Sequence, residues 1–306
     1  MTAQSPDLPY PSSAEVPAGA IVVGIDGREE DANALDWAAA EAVSLGAPVH
    51  VITALDIDLP LAGGGEAVPM ALIEDALDDD ATARLERACA RVAERAPGVP
   101  VTAYRSSGRA ARVLLDASER ARTVVLGSAR GGNLERILLG ATSTSVVALA
   151  RCPVVVVGPV LPEDGDIVVA FDDSPHSRAA LWYAAATAER LRVPVRVVSG
   201  WFLEVVDGVV ATTPGSPQYE KVKQRLHGSI DAALEPVIAA HPDVAFTAVV
   251  KQGKIVDIVL AESNDARLLV LGTRGRGGIA GMLFGSVSRK VLQTAGVPVA
   301  VLSHGA

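Results

Sequence analysis

The chain is written twice, and that repeat limits what it can fold into more than any other feature. The segment IVVGIDGREEDANALDWAAAEAVSLGAPVHVITALD, from Ile21, returns as IVVAFDDSPHSRAALWYAAATAERLRVPVRVVSGWF, from Ile167. Asp26 aligns with Asp172, Leu35 with Leu181, Trp37 with Tyr183 and Pro48 with Pro194. Further on, VVLGSARGG from Val124 matches LVLGTRGRGG from Leu269. Gly127 matches Gly272, Gly140 matches Gly285, and Pro153 matches Pro298. A self-similar period this long means two copies of one unit of roughly 140 residues, not one large domain. The 306 residues are enough for two domains at about 100–200 residues each.

The boundaries follow from composition. Residues 1–18 are rich in Pro and Ser, with no basic start and no apolar run, and read as a flexible tail rather than a signal peptide. The first copy is expected over 19–158 and the second over 167–306. Residues 159–166 combine Pro with acids, as linkers do.

Each copy has the same grammar. A Val/Ile run leads into an Ala-rich segment of helical spacing, which in the second copy runs from about Ser177 to Leu191. Strand VPVRVVS (193–199) follows, then a long helix from about Tyr219 to Ala240 and strand AFTAVVK (245–251). Short helix IVDIVLAES, strand RLLVLG, a glycine loop, helix SVSRKVLQTA and strand VPVAVL complete the copy. Strands alternating with helices give right-handed βαβ units and a parallel sheet covered on both faces. Uninterrupted apolar runs such as VVVV (154–157) suit buried parallel strands. The fold class is therefore α/β, with two tandem doubly wound parallel sheets. The last strands, VVVV (154–157) and VAVL (299–302), would leave open edges, and the two copies are expected to pair through them.

Composition excludes several functions. The net charge is −9, which argues against a broad nucleic-acid or anionic-membrane surface. No stretch reaches the ~18 apolar residues of a membrane helix, so a cytoplasmic protein is expected. Cys89 and Cys152 form no CxxC pair, and the five histidines form no ligand cluster. The acids Glu74, Asp75, Asp78, Asp79 and Asp80 match no calcium-loop spacing and read as the solvated start of a helix.

The glycine loop is the exception to this acidic background. LGTRGRGGIAGMLFGSVS places Gly272, two residues, Gly275, nine residues, then Gly285 and Ser286. Between Gly272 and Lys290 the charged residues are Arg274, Arg276, Arg289 and Lys290, with no acid among them. In a doubly wound sheet, ligands bind beyond the carboxyl ends of the strands, where this loop begins. Glycines let backbone N–H groups approach an anion, and a helix start favours negative charge. The pattern reads as a polyphosphate cradle. It is neither a Walker A loop nor a GxGxxG fingerprint. By itself Asp172, within DDSPHS, reads as a turn or cap residue that could also accept from sugar hydroxyls.

The tandem βαβ copies, the acid after the first strand and the G-x2-G-x9-G-S/T spacing resemble the universal stress protein family in its double-domain form. The resemblance covers about residues 20–303. It implies a five-stranded parallel sheet in each copy and a bound adenine nucleotide, ATP, with a Mg²⁺ ion allowed beside it. It places Asp172 at the ribose or adenine side, and the backbone at Ser199 and Gly200 against the base. Gly272, Arg274, Gly275, Gly285, Ser286 and Val287 would wrap the phosphates. It also implies association into a homodimer.

The first copy departs from the pattern. In LGSARGGNLERILLGATSTS, Gly127 and Gly140 are in place, but Arg130 replaces the second glycine and Ala141 replaces the serine. Glu135 adds a negative charge. ATP binding is expected to be weak or absent there, unless a shifted loop uses Gly131 and Thr142. Asp26 is retained, which leaves room for adenosine without phosphates. Neither copy offers paired carboxylates or an arranged triad. The expectation is a regulatory ATP binder without efficient catalysis. A slow ATPase and a nucleotide-independent interaction scaffold are the alternatives.

Overall fold

The computed structural model describes residues 14–55, 70–130, 137–138, 140–202, 205–206, 209–210, 213–275 and 284–303. The first copy runs β1 (Ile21–Ile25), α1 (Asp31–Leu45), β2 (Val49–Leu55), α2 (Met70–Arg95), β3 (Val101–Ser107), α3 (Ala110–Ser118) and β4 (Thr123–Gly127). A small hairpin, β5 (Ala129–Arg130) and β6 (Ile137–Leu138), precedes α4 (Ala141–Leu149) and β7 (Val154–Val157). The second copy repeats this with β8 (Ile167–Ala170), α5 (Pro175–Leu191), β9 (Val195–Trp201), hairpin β10 (Val205–Val206) and β11 (Val209–Val210), and α6 (Pro217–Ala240). It ends with β12 (Phe246–Gln252), α7 (Ile255–Glu262), β13 (Leu268–Gly272), α8 (Ser286–Leu292) and β14 (Val299–Leu302).

Five parallel strands from each copy join in one ten-stranded sheet, ordered β12-β9-β8-β13-β14-β7-β4-β1-β2-β3. The seam is the pairing expected from the open last strands. Val299, Ala300 and Val301 lie antiparallel to Val156, Val155 and Val154. All six are buried, so what would be two exposed edges becomes the middle of the sheet. Because β7 and β14 run in opposite directions, the carboxyl ends of the two sets of strands lie on opposite edges. Any ligand site at those ends is therefore present once on each side of the molecule.

Alternation along the strands divides the core. Val23, Val51, Val169 and Val197 face the layer that holds α1, α2, α5 and α6. Val22, Ile52, Val168 and Val198 face α3, α4, α7 and α8. Each layer is one apolar cluster that crosses the seam. A bridge reinforces it: Arg190 on α5 donates to Glu41 (2.8 Å) and Ser44 (2.9 Å) on α1.

Helix starts differ from the sequence reading by two residues. α5 begins at Pro175 and α6 at Pro217, ahead of the expected Ser177 and Tyr219. In both, a serine before the proline is the N-cap. Ser174 Oγ accepts from the Ser177 N–H, and Ser216 Oγ from the Tyr219 N–H, each at 3.2 Å. Proline fits the first helical position because its missing N–H would have had no partner there. The acidic run falls within the second and third turns of α2, where Asp78 pairs with Arg105 at 2.7 Å. At the chain start, residues 1–13 lie outside the described region. Val16, assigned to the tail by composition, is buried in the α3/α4 layer.

One buried side chain gives a pH prediction. His50, in β2, is fully buried, with Nδ1 2.6 Å from Thr102 Oγ1 and Nε2 unpaired. Burial lowers its pKa to about 4. The unfolded chain takes up this proton near pH 6.5, before the folded one does. His50 thus contributes stability in full above pH 6.5, and that contribution is lost as the pH falls to 4. The loss is on the order of 3 kcal/mol. In urea titrations, His50→Leu is expected to remove this part of the acid sensitivity.

Candidate functional site

The second-copy site gathers where β8 and β13 end. Asp172 lies two residues beyond β8, half-buried, and its Oδ1 accepts from the Ser174 N–H at 3.1 Å. Ser174 Oγ lies 3.4 Å from the carbonyl of Arg274, to which it donates. The β8–α5 turn is thereby tied to the glycine loop. The loop's other end is held too. Gly285 N–H donates to Thr273 O at 2.8 Å, and Ser288 Oγ to Gly272 O at 2.7 Å.

The glycines have separable reasons. A Cβ on Gly275 would overlap the Asp172 carboxylate, so the loop backbone closes onto the strand-end acid only because that side chain is missing. A Cβ on Gly272 would sit 2.6 Å from His176 Cβ and 2.8 Å from its carbonyl carbon. Gly272 therefore lets the start of α5 approach β13, a packing role that the phosphate reading did not include. Gly127 plays the same part against Glu30 O at 3.0 Å in the first copy. Gly200 admits Lys251 O and Ile258, at 2.7 and 3.0 Å from its would-be Cβ.

Most of the predicted residues come together. Asp172, Gly272, Arg274, Gly275, Gly285, Ser286 and Val287 lie at one end of β8, β13 and the start of α8, with Arg274 and Ser286 exposed. Arg276 lies outside the described residues. Ser199 is buried in β9 and alternates to the face of Val195 and Val197, so only its backbone is available at the site. Sequence reasoning missed Ser174 and Ser288, which hold the loop in place. Ser288 could have been found, since the repeat places Ser143 opposite it.

The first copy has a half-open pocket of about 380 Å³ at the matching position. Its lining includes Asp26, Gly127 and Gly140, the three first-copy residues chosen from the sequence, together with Thr142 and Ser143. The inner wall is Gly24, Ile52, Leu114 and Leu126. At the mouth, Asp31 Oδ2 accepts from the N–H groups of Gly27 (2.7 Å) and Asp26 (3.1 Å). Burial raises the Asp31 pKa to about 6, with the charge of Asp26 adding to the effect and the backbone bonds opposing it. The sign is opposite to that of His50. Ionised Asp31 costs stability above pH 6, and the cost disappears as the pH falls towards 4. Asp31→Asn is expected to remove that compensation, so its stability relative to the parent chain falls on acidification from pH 6 to 4.

Comparison with known proteins agrees with this geometry. The model of the universal stress protein family matches residues 18–158 and again 165–303. A universal stress protein of Mycolicibacterium smegmatis is 33% identical over 290 residues, covering 92% of this chain and 96% of its own. One from Mycobacterium tuberculosis is 31% identical over 290 residues, with the same coverages. The crystal structure of a universal stress protein from Archaeoglobus fulgidus superposes with a TM-score of 0.69 at 20% identity, covering 94% of this chain and 98% of that one. Two matches to the family model, a repeat visible in the residues and one seam joining two equivalent sheets place this chain in the universal stress protein family, in its tandem two-domain form.

Proposed function

We propose that the second copy binds one ATP per chain and that the protein acts as a nucleotide-dependent regulator in the stress response. The observation that carries this reading is the contact between Gly275 and Asp172. A bare loop backbone closes on the acid that ends the first strand of its copy, leaving no room for a side chain between them. Such a cradle suits a ligand with hydroxyls at one end and an anion at the other. Asp172 would hold the sugar. The N–H groups of the loop and of the start of α8 would face the phosphates, with Arg274, Arg289 and Lys290 supplying positive charge. A Mg²⁺ ion would share the phosphate oxygens.

Binding rather than turnover is the favoured reading. The Asp172 carboxylate points into its own turn, accepting from Ser174, which suits positioning rather than proton abstraction. Because the seam uses the last-strand edges within one chain, a homodimer would form through a different surface. Among the described residues no helix is long and apolar enough to cross a membrane, in keeping with a cytoplasmic role.

Calorimetric titration with Mg-ATP tests the reading. Arg274→Ala is expected to weaken binding roughly tenfold and to reduce its salt dependence, as loss of one phosphate-facing charge should. Unchanged affinity in Arg274→Ala would argue against a phosphate at this loop.

A further inference from the structure

The sheet has two outer strands, and the repeat makes them comparable. β3 ends the sheet on the first copy's side and β12 on the second's. Val101–Ser107 corresponds to Phe246–Gln252, as Gly108 corresponds to Gly253. Yet the two edges are finished differently. Val101, Ala103 and Ser106 are buried in β3, whereas none of the seven residues of β12 is. In the first copy Arg105 binds Asp78 of α2 at 2.7 Å, which ties the helix to the edge strand. The corresponding second-copy residues are Val250 and Lys223, which cannot form that bridge.

β12 is also bare of the devices that usually protect an edge. It has no proline, and its register with β9 runs without a bulge from Phe246 opposite Val195 to Gln252 opposite Trp201. Its one charged side chain, Lys251, is tied to Glu262 of α7. Among the described residues, β12 pairs with β9 alone. The backbone bonds fix which way each residue points. Ala245 O accepts from the Val195 N–H, and the Gly253 N–H donates to Trp201 O, both at 2.8 Å. Bonding groups alternate along a strand, so Thr247, Val249 and Lys251 face β9. Phe246, Ala248 and Val250 therefore direct their N–H and C=O groups away from the sheet.

We propose that β12 pairs antiparallel with β12 of a second copy of this chain, about a two-fold axis between the two Val249 residues, joining two ten-stranded sheets into one. The strand is complementary to itself in that register. Full overlap sets Ala248 opposite Val250, so outward groups meet outward groups, as the hydrogen-bonded pairs of an antiparallel ladder require. Val249 meets its own copy in the closer, non-hydrogen-bonded position, where β-branched side chains pack well. Lys251 lies opposite Thr247, so no like charges meet. Such a contact is isologous and closes at two chains. It supplies a seam for the homodimer once β7 and β14 are used within one chain. The inference deepens the homodimer reading of the preceding section and needs no nucleotide at either set of strand ends.

Sedimentation velocity of the full chain at about 1–100 µM tests the seam. The parent is expected to be a dimer at the upper end of that range. Ala248→Pro removes an outward N–H and no bond to β9, a place where an edge strand tolerates proline. It is expected to weaken the dimer roughly tenfold or more, while the chain still unfolds close to the parent's temperature. Val249→Glu and Val249→Lys each set two like charges face to face on the axis and are expected to weaken the dimer as much. Mixed one to one, these two variants should pair again, because the axis then joins a carboxylate to an ammonium. A general loss of folding could not produce that rescue. A parent chain that stays monomeric at about 100 µM overturns both this seam and the homodimer. A dimer that survives all three variants overturns the seam alone and places the contact elsewhere. Open-ended assemblies would put β12 against β3 of the next chain and overturn the two-fold pairing. Charge variants that stay apart when mixed would overturn the Val249 axis.

Discussion

Gly275→Asp is expected to lower ATP affinity by about 1,000-fold, equivalent to about 4 kcal/mol. Two effects combine. Any Cβ at this position overlaps the Asp172 carboxylate, so that side chain must turn away from the place where it would hold the sugar. The new carboxylate then faces both Asp172 and the incoming phosphates, and like charges at that distance repel strongly in a partly buried site. Gly275→Ala separates the two effects. It carries the steric term without the charge and is expected to cost roughly 10- to 50-fold. Stability should hardly change in either, because Gly275 is exposed and the strands end before it. Calorimetry and thermal unfolding on the same samples check this. Equal losses in Gly275→Ala and Gly275→Asp would remove the electrostatic part of the account.

The seam between the copies gives the second large effect. Glu41 is nearly inaccessible and Arg190 mostly so, with side-chain exposures of 7% and 23%. Glu41→Ala leaves the guanidinium with hydroxyl partners only, on Ser44 and Thr187. Stranding one member of a buried pair typically costs about 3–5 kcal/mol, and the lower part of that range is expected here. The double variant Glu41→Met/Arg190→Met should recover most of the loss, since apolar replacements of similar volume remove both desolvation penalties. Urea unfolding of the parent, Glu41→Met, Arg190→Met and the double variant gives the coupling directly. A cost below 1 kcal/mol for Glu41→Ala would mean that the β7–β14 ladder and its apolar flanks hold the copies together without the bridge.

Much of this fold was legible because its signals are local and occur twice. The repeat fixed two α/β units, and unbroken runs such as VVVV marked buried strands. The seam could be read from two apolar last strands that each lacked a neighbour. The expected helix starts fall two residues late because Ser-Pro at 174–175 and 216–217 lies ahead of the apolar periodicity, whereas serine caps and proline opens the first turn. The second-copy cradle was legible as spacing, yet the reasons for its glycines were not. Gly272 admits the backbone of α5, and Gly275 admits a carboxylate distant in sequence. The first-copy cavity was least legible. It depends on Gly24 meeting Leu114 and Leu126, three residues from three different elements.

The most direct test is the nucleotide content of the purified chain. The protein is denatured, and the released adenine nucleotide is identified and counted per chain, for the parent and for Gly275→Asp. The account predicts about one ATP per parent chain and none in Gly275→Asp. Two ATP per chain, or one that persists in Gly275→Asp, would contradict it by placing triphosphate in the first copy. A chain that carries none and takes up none from Mg-ATP would leave the second-copy loop without the ligand proposed for it.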